Sequence, residues 1–302
     1  MSFVLVLSGL TAVAVVVRDI THELFHPAGA GTLSRALRRI TWRTFRRVAA
    51  GDPDRLSLAG PATLLVVISA WVFLATLGWA LVYSSFMPGS FQYVSSLDPS
   101  ANADFGTAVY LSLTALGTLG FGDVTPTTLP LRLGVTLEGL QGFLILTAGI
   151  SWALAIKPVL AERRALAGVI RALLAAEYET GTPLVELPAE DLRPTIVSLT
   201  EQVTLARFRL LQSPETYYFH PGPPDASLPA VLPRLLGIAQ VLEARSEDGL
   251  RLHAVALRQT LDRLGEVLAA QFVSAPGGTA EALQAYAEDH LRHEIRGRPS
   301  QR

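Results

Sequence analysis

Four apolar stretches in the first half of the chain constrain its fold more than any other feature. Residues 62–83 carry no charge and residues 131–156 carry only Arg132 and Glu138, so both reach the roughly 20 residues that a membrane-spanning helix needs. The stretch at 3–17 falls just short of that length, and the stretch at 105–117 is too short to span. Only 17% of the residues are charged, against about 25% in soluble proteins. The sequence therefore predicts an all-α membrane protein.

The charges between these stretches predict how the chain is oriented. The loop at 84–104 contains Asp98 and Asp104 but no lysine or arginine, whereas arginines are concentrated in 18–55 and follow again at 163–164. Because cytoplasmic loops carry the excess of basic residues, we expect a multi-pass protein of the bacterial inner membrane. The predicted parts are an N-terminal membrane helix at 1–17, a basic cytoplasmic segment at 18–58, a membrane domain at 59–157 and a helical cytoplasmic domain at 158–302.

The basic segment contains a predicted amphipathic helix at 34–50, with Ser34 as a plausible N-cap. We expect this helix to lie on the membrane surface, with Trp42 at the headgroup level and its arginines facing anionic lipids. A voltage sensor is disfavoured because the segment is too polar to span. The arginines assigned to the lipid-facing side are Arg35, Arg38, Arg39, Arg43, Arg46 and Arg47.

The short stretch at 105–117 is predicted to be a re-entrant helix, buried by protein on its sides. Next come Gly120 and Gly122, which alternate with other residues at what would be membrane depth. Non-helical backbone is tolerated there only where it lines a cavity, and glycines permit the backbone angles that aim successive carbonyls one way. Rings of such carbonyls from four chains can replace the hydration shell of K⁺.

The segment Thr118-Leu119-Gly120-Phe121-Gly122-Asp123 resembles the potassium channel signature Thr-Val-Gly-Tyr-Gly-Asp. The resemblance covers about 62–156 and implies a pore domain with an outer helix at 62–83, a pore helix at 105–117, a filter at 118–123 and an inner helix at 131–156. The rest of the chain is similar to a bacterial subfamily of two-transmembrane channels, from His22-Glu23-Leu24-Phe25-His26-Pro27 onward. It implies a homotetramer, because one chain supplies a quarter of the filter.

The resemblance also implies roles for individual residues. K⁺ would bind at Thr118, Leu119, Gly120 and Phe121, next to Gly122, and Asp123 would lie at the outer mouth. Gly142 falls at the position of the inner-helix hinge glycine, and helical spacing from it directs Gly139, Leu146 and Ile150 toward the cavity or gate. Thr114 stands where some members of the family carry a pore-helix glutamate, and Phe121 lacks the tyrosine hydroxyl.

Two further groups of ionisable residues leave alternatives open. Glu138 lies in the outer half of the last apolar stretch, where an ionisable residue is costly to bury. It either hydrogen-bonds behind the filter, to Thr114 or a water, or is partly exposed beside Arg132. His22, Glu23 and His26 have the spacing of a helical metal pair, but an interfacial structural role is favoured since a metal site needs more ligands.

The tail is predicted to form helices at 159–178, 189–212, 228–246, 248–272 and 278–296. The aromatic loop at 217–220 is expected to pack on them, or else to bind a partner. The chain has no cysteine, no Rossmann-type glycine pattern and no catalytic constellation, so neither an enzyme nor a cofactor is expected; with net charge -1, no nucleic acid partner is expected either. The alternatives to a potassium channel are a non-selective cation channel and a membrane-anchored sensor or scaffold with a vestigial pore. The sequence does not identify the gating ligand.

Overall fold

The computed structural model describes residues 2–25, 31–48, 53–219 and 227–291. His26 and the predicted helix ends at 49–50 and 292–296 lie outside these residues. The described chain divides into a membrane unit, residues 1–40 and 63–154, and a C-terminal unit, residues 41–62 and 155–302. The helices are α1 (Ser2–Phe25), α2 (Thr32–Val48), α3 (Pro53–Ser57), α4 (Ala59–Ser84), α5 (Phe105–Leu116), α6 (Leu129–Thr180), α7 (Ala189–Gln212), α8 (Leu228–Glu243), α9 (Asp248–Gln271) and α10 (Thr279–Leu291).

Three helical stretches among the described residues are long and apolar enough to cross a membrane. They are Phe3–Glu23, Arg55–Ser84 and the apolar part of Leu129–Thr180, while Phe105–Leu116 is apolar but shorter. Two short strands, β1 (Phe91–Tyr93) and β2 (Val124–Pro126), pair in antiparallel register. The predicted all-α membrane fold is confirmed, and the strand pair was missed because three residues are too few to show an alternating pattern.

The prediction that the inner helix ends at 156 is wrong. Helix α6 continues without a break through Pro158 to Thr180, so the predicted tail helix at 159–178 is its second half. A proline inside a helix removes one backbone hydrogen bond and costs about 3 kcal/mol. Burial of Leu166 and Ile170 in the core of the C-terminal unit offsets this cost, because a buried aliphatic side chain contributes about 1.5–3 kcal/mol.

Helix α1 continues to Phe25, eight residues beyond the predicted end of its apolar stretch, because its acidic residues are buried against other helices of the membrane unit. The Asp19 carboxylate accepts hydrogen bonds from the backbone of Leu33 (2.9 Å) and Ser34 (3.1 Å), from the Ser34 hydroxyl, and from Trp71 Nε1 (3.0 Å). Asp19 thus satisfies the free N–H groups at the start of α2. Ser34 is not the N-cap, since α2 begins at Thr32.

Two glycines bring α1 against α4. A Cβ on Gly9 would lie 2.4 Å from the Gly78 carbonyl oxygen, and a Cβ on Gly78 would lie 2.8 Å from the Gly9 carbonyl oxygen. The two backbones are therefore in direct contact, as is common where small residues meet between membrane helices. The N-terminal helix is in this way part of the membrane unit.

Three residues of α2 were wrongly placed at the lipid. Arg46 is only 28% exposed and pairs with Asp289 of the C-terminal unit. Arg38 is 1% exposed, pairs with both carboxylate oxygens of Glu23 (2.8 and 3.1 Å) and lies 5.4 Å from the Trp152 ring centroid. Trp42 is buried in the C-terminal unit, where its ring meets Tyr217 and Tyr218 edge-on. The helical period of the sequence cannot distinguish burial against protein from burial in lipid, since both require an apolar face.

The C-terminal unit is built on α7 to α10 and the second half of α6. Helix α7 has the predicted bounds, and its apolar face is buried; α8, α9 and α10 begin within one residue of the predicted starts. Tyr217 and Tyr218 are buried, and the Tyr217 ring stacks on Phe272 with a centroid distance of 4.3 Å. The expectation that this aromatic segment packs on the tail helices is confirmed for the described residues up to Phe219.

Replacing Asp289 with alanine is expected to destabilise the C-terminal unit by about 2–4 kcal/mol. Its carboxylate accepts hydrogen bonds from Trp42 Nε1 (2.9 Å) and the Tyr217 hydroxyl (2.7 Å) and forms an ion pair with Arg46. The substitution would remove the acceptor of the buried Trp42 and Tyr217 donors. The midpoint of thermal unfolding, followed by tryptophan fluorescence, measures the effect. Glu266→Ala, on the exposed face of α9, is the control, and equal midpoints for the two variants would contradict the assignment.

Candidate functional site

The site begins at α5, whose ends are both defined by specific contacts. The Asp104 side chain caps the N-terminus by accepting a hydrogen bond from the Thr107 backbone (2.8 Å), and this bond holds the pKa of Asp104 below its ordinary value. Gly117 is the C-cap. The predicted re-entrant helix at 105–117 therefore ends one residue earlier than expected, and the chain leaves it directly into the segment 118–123, here called the filter loop.

The backbone of the filter loop alternates between left-handed and ordinary angles. Thr118, Gly120 and Gly122 have positive φ values of 55°, 52° and 76°, whereas Leu119 and Phe121 between them do not. Alternation of this kind turns successive carbonyl oxygens toward the same side of the strand. Thr118 is the only described non-glycine residue with a positive φ, a conformation that costs about 1–3 kcal/mol and is concentrated at functional sites.

Backbone hydrogen bonds attach the filter loop to the end of α5. The Thr114 carbonyl accepts from the N–H of Leu119 (2.8 Å) and of Gly120 (3.4 Å), and the Ala115 carbonyl accepts from the N–H of Thr118 (2.9 Å). The N–H groups of residues 118–120 are thus directed back toward α5. Rings of backbone carbonyls are the ligands that dehydrated K⁺ takes in a pore.

Asp123 is held where the filter loop meets the strand pair. Its Oδ2 accepts a hydrogen bond from the Tyr110 hydroxyl (2.7 Å), and its carbonyl accepts from the Val94 backbone (2.9 Å). The loop at 84–104, the filter loop and α5 are therefore tied together at one point. The role of Tyr110 could not be predicted, because a tyrosine in an apolar helix is equally typical of packing.

Glu138 is fully buried and links three helices behind the filter loop. It accepts hydrogen bonds from the Tyr83 hydroxyl of α4 (2.7 Å) and from the Ser112 hydroxyl of α5. The alternative of partial exposure beside Arg132 is wrong, and so is Thr114 as its partner, since the Thr114 hydroxyl bonds to the Leu111 carbonyl (2.9 Å). Thr114 supports the loop through its own carbonyl. Ser112, a small polar residue in an apolar helix, is the partner of Glu138 that the sequence analysis missed.

Three aromatic residues of α4 are also buried inside the membrane unit. Tyr83 bonds to Glu138, and Trp79 donates from Nε1 to Gln141 Oε1 (2.9 Å) while its ring stacks on Tyr83. Neither side chain is an exposed anchor at a membrane surface. Trp71 is completely buried and stacks on Trp152 of α6 with a centroid distance of 5.7 Å.

Gly142 lies where α6 crosses the end of α5. A Cβ at this position would be 1.8 Å from the Leu116 carbonyl oxygen, whereas a Cβ on Gly139 would lie 3.5 Å from the Ala115 carbonyl oxygen. The absence of a side chain at Gly142 therefore permits α6 to contact Leu116, which lies two positions before the filter loop. Its predicted role as a hinge remains a prediction.

The other residues predicted to line the cavity form an exposed apolar face on α6. Leu146 and Ile150 are 61% and 54% exposed in the single chain, and Phe143 and Leu154 continue the same face. Leu119 and Phe121 of the filter loop are also exposed. In a membrane, an apolar face of this kind is covered by lipid or by another subunit. Among the described residues, no three His, Cys, Asp or Glu side chains are close enough to hold a metal ion, so His22 and Glu23 are not part of such a group.

Comparison with known proteins identifies the segment that contains this site. Residues 63–154 match the sequence model of a family described as ion channel. YdjJ of Bacillus subtilis (strain 168), an uncharacterized membrane protein, is 29% identical to the chain over 150 residues. These residues are 50% of this chain and 43% of YdjJ, so the chain covers less than half of that relative's length. No solved structure matches the chain. The chain is a membrane protein, and its residues 63–154 are similar to the ion channel family.

Proposed function

We propose that four copies of this chain form a channel that conducts K⁺ passively through rings of backbone carbonyls at Thr118, Leu119, Gly120 and Phe121. The observation that carries the proposal is the alternation of positive φ at Thr118, Gly120 and Gly122, on a loop whose first three N–H groups donate to carbonyls of α5. The match of residues 63–154 to the ion channel family supports it. Four chains are required because each supplies one carbonyl to each ring.

Further predictions on assembly and orientation belong to the same proposal. Asp123 would concentrate cations at the outer mouth, and the face with Leu146 and Ile150 would line the pore below the filter. The basic segment and the C-terminal unit would be cytoplasmic in a bacterial inner membrane, since basic residues are retained on that side. The channel would need no cofactor and no enzymatic activity, because the permeant ion itself is the ligand.

Ion flux from liposomes tests the proposal directly. Purified protein is reconstituted with K⁺ inside and Na⁺ outside, and a proton-driven dye reports K⁺ efflux. We expect flux that Ba²⁺ blocks and that falls at least about tenfold in Gly120→Asp, because the φ of 52° at Gly120 disfavours any side chain. Gly89→Asp adds the same charge to an exposed loop where a Cβ meets nothing within 4 Å, and it should retain flux.

The other outcomes separate the competing functions. Equal flux when Na⁺ replaces K⁺ would identify a non-selective cation channel. No flux from the wild-type protein, with tetramers present by cross-linking, would favour a sensor or scaffold with a vestigial pore. A monomer by the same cross-linking assay would contradict the proposed assembly.

A further inference from the structure

One face of α2 remains exposed and carries only positive charge. Its side chains Arg35, Arg39, Arg43 and Arg47 are spaced four residues apart and are all exposed. At this spacing residues lie along one side of a helix. Ile40, 59% exposed, lies on the same face, and α2 contains no acidic residue. The surface, here called the arginine face, is therefore both strongly basic and partly apolar.

The opposite face of α2 determines which side is turned outward. In the membrane unit, Ser34 and Arg38 are buried against Asp19 and Glu23 of α1. In the C-terminal unit, Trp42 is buried with its Nε1 on Asp289. In each unit, therefore, one side of α2 is buried by specific contacts. The four exposed arginines lie outside that buried side.

The start of α2 lies close to the end of the apolar part of α1. That part ends at Val17, and Asp19, two residues later, bonds directly to the backbone of Leu33 and Ser34. Helix α1 is long and apolar enough to cross a membrane. Where α1 leaves the hydrocarbon, α2 therefore begins at the level of the lipid headgroups. At the headgroup level the arginine face is next to lipid, so a soluble partner would have to compete with lipid for it.

We propose that the arginine face of α2 binds the headgroups of anionic phospholipids. Guanidinium groups donate two parallel hydrogen bonds to phosphate oxygens, and Ile40 can insert between the headgroups as apolar residues of interfacial helices do. The net negative charge of the lipid is needed, because a zwitterionic headgroup offers phosphate without net attraction. Binding does not depend on ion conduction, so this inference and the proposed function fail independently.

Binding of a labelled lipid to the full-length protein in nonionic detergent tests this inference. Phosphatidylglycerol and phosphatidylcholine with identical fluorescent acyl chains are compared by anisotropy. We expect the wild type to bind phosphatidylglycerol at least about tenfold more tightly than phosphatidylcholine, with a preference that weakens as salt is added. The variant R35Q/R39Q/R43Q/R47Q should lose that preference.

A second quadruple variant controls for net charge. R193Q/R234Q/R251Q/R263Q removes four exposed arginines from the C-terminal unit and should bind both lipids as the wild type does. Both variants should fold, which thermal unfolding checks; if the first does not, R39Q/R43Q takes its place and should weaken phosphatidylglycerol binding several-fold. An unchanged preference in the folded variant overturns the inference. Competition by inorganic phosphate at equal concentration would assign the face to a soluble anion, and tighter binding of polyglutamate would assign it to an acidic protein.

Discussion

In the proposed channel, Gly142→Ala is expected to lower K⁺ flux at least about tenfold. The added Cβ would lie 1.8 Å from the Leu116 carbonyl oxygen, 2.7 Å from its carbonyl carbon and 3.1 Å from its Cα. These are backbone atoms, so no change of side-chain rotamer relieves the clash, and α6 must separate from α5 by more than an ångström. Tightly packed interiors do not absorb such a shift locally. The displacement reaches the filter loop, which begins two residues after Leu116.

Flux in liposomes, as above, measures this effect, with an expected loss of at least about tenfold. Gly168→Ala is the matched control, because it makes the same substitution in the same helix at a site where a Cβ meets nothing within 4 Å. Alanine is also the better helix former, so the control should be neutral or slightly stabilising. Wild-type flux from Gly142→Ala would show that the contact between α5 and α6 does not position the filter loop.

Glu138→Leu should also eliminate flux, by a different route. The substitution removes the acceptor of two buried hydroxyls, those of Tyr83 and Ser112, at a cost of about 1–3 kcal/mol for each unsatisfied group. Leucine is similar in size, so the loss is one of hydrogen bonding and not of volume. Because Ser112 and Tyr83 belong to α5 and α4, the attachment of the pore helix to its surroundings would be weakened.

Glu138→Gln distinguishes this explanation from a requirement for negative charge. The glutamine Oε1 can accept one of the two hydrogen bonds, so flux and thermal stability should fall between those of the wild type and Glu138→Leu. Equal loss in both variants would show that the charge itself is essential. Wild-type flux from Glu138→Leu would mean that the buried link between α4, α5 and α6 is not needed to hold the pore helix.

The sequence was most informative where a local rule determines the outcome. Apolar length predicted the membrane helices, the bounds of α7 followed from its helical period, and alternating glycines predicted the filter loop. Each of these depends on residues close together in the chain. The all-α membrane fold could therefore be read without any knowledge of tertiary contacts.

Errors arose where a distant residue changed the local preference. Asp19 caps α2 from another helix, which moved the start of α2 and kept a carboxylate inside a membrane helix. Arg38 is stable in the interior only because Glu23 pairs with it, and no helical period indicates such a partner. The prediction of a helix end before Pro158 failed for the same reason. The burial that compensates for this proline involves core residues as distant in the chain as Tyr286.

The left-handed conformation of Thr118 has a consequence for biogenesis. In a single chain the filter loop is exposed at residues 118–122, so few contacts there oppose the relaxation of a strained threonine. In the proposed tetramer, neighbouring chains and bound K⁺ would supply the missing stabilisation. Any species that binds only the ordered loop shifts the equilibrium toward it. In the proposed channel, ordering of the filter loop and association of the subunits would then be one cooperative step, and the permeant ion would promote the assembly of its own pore.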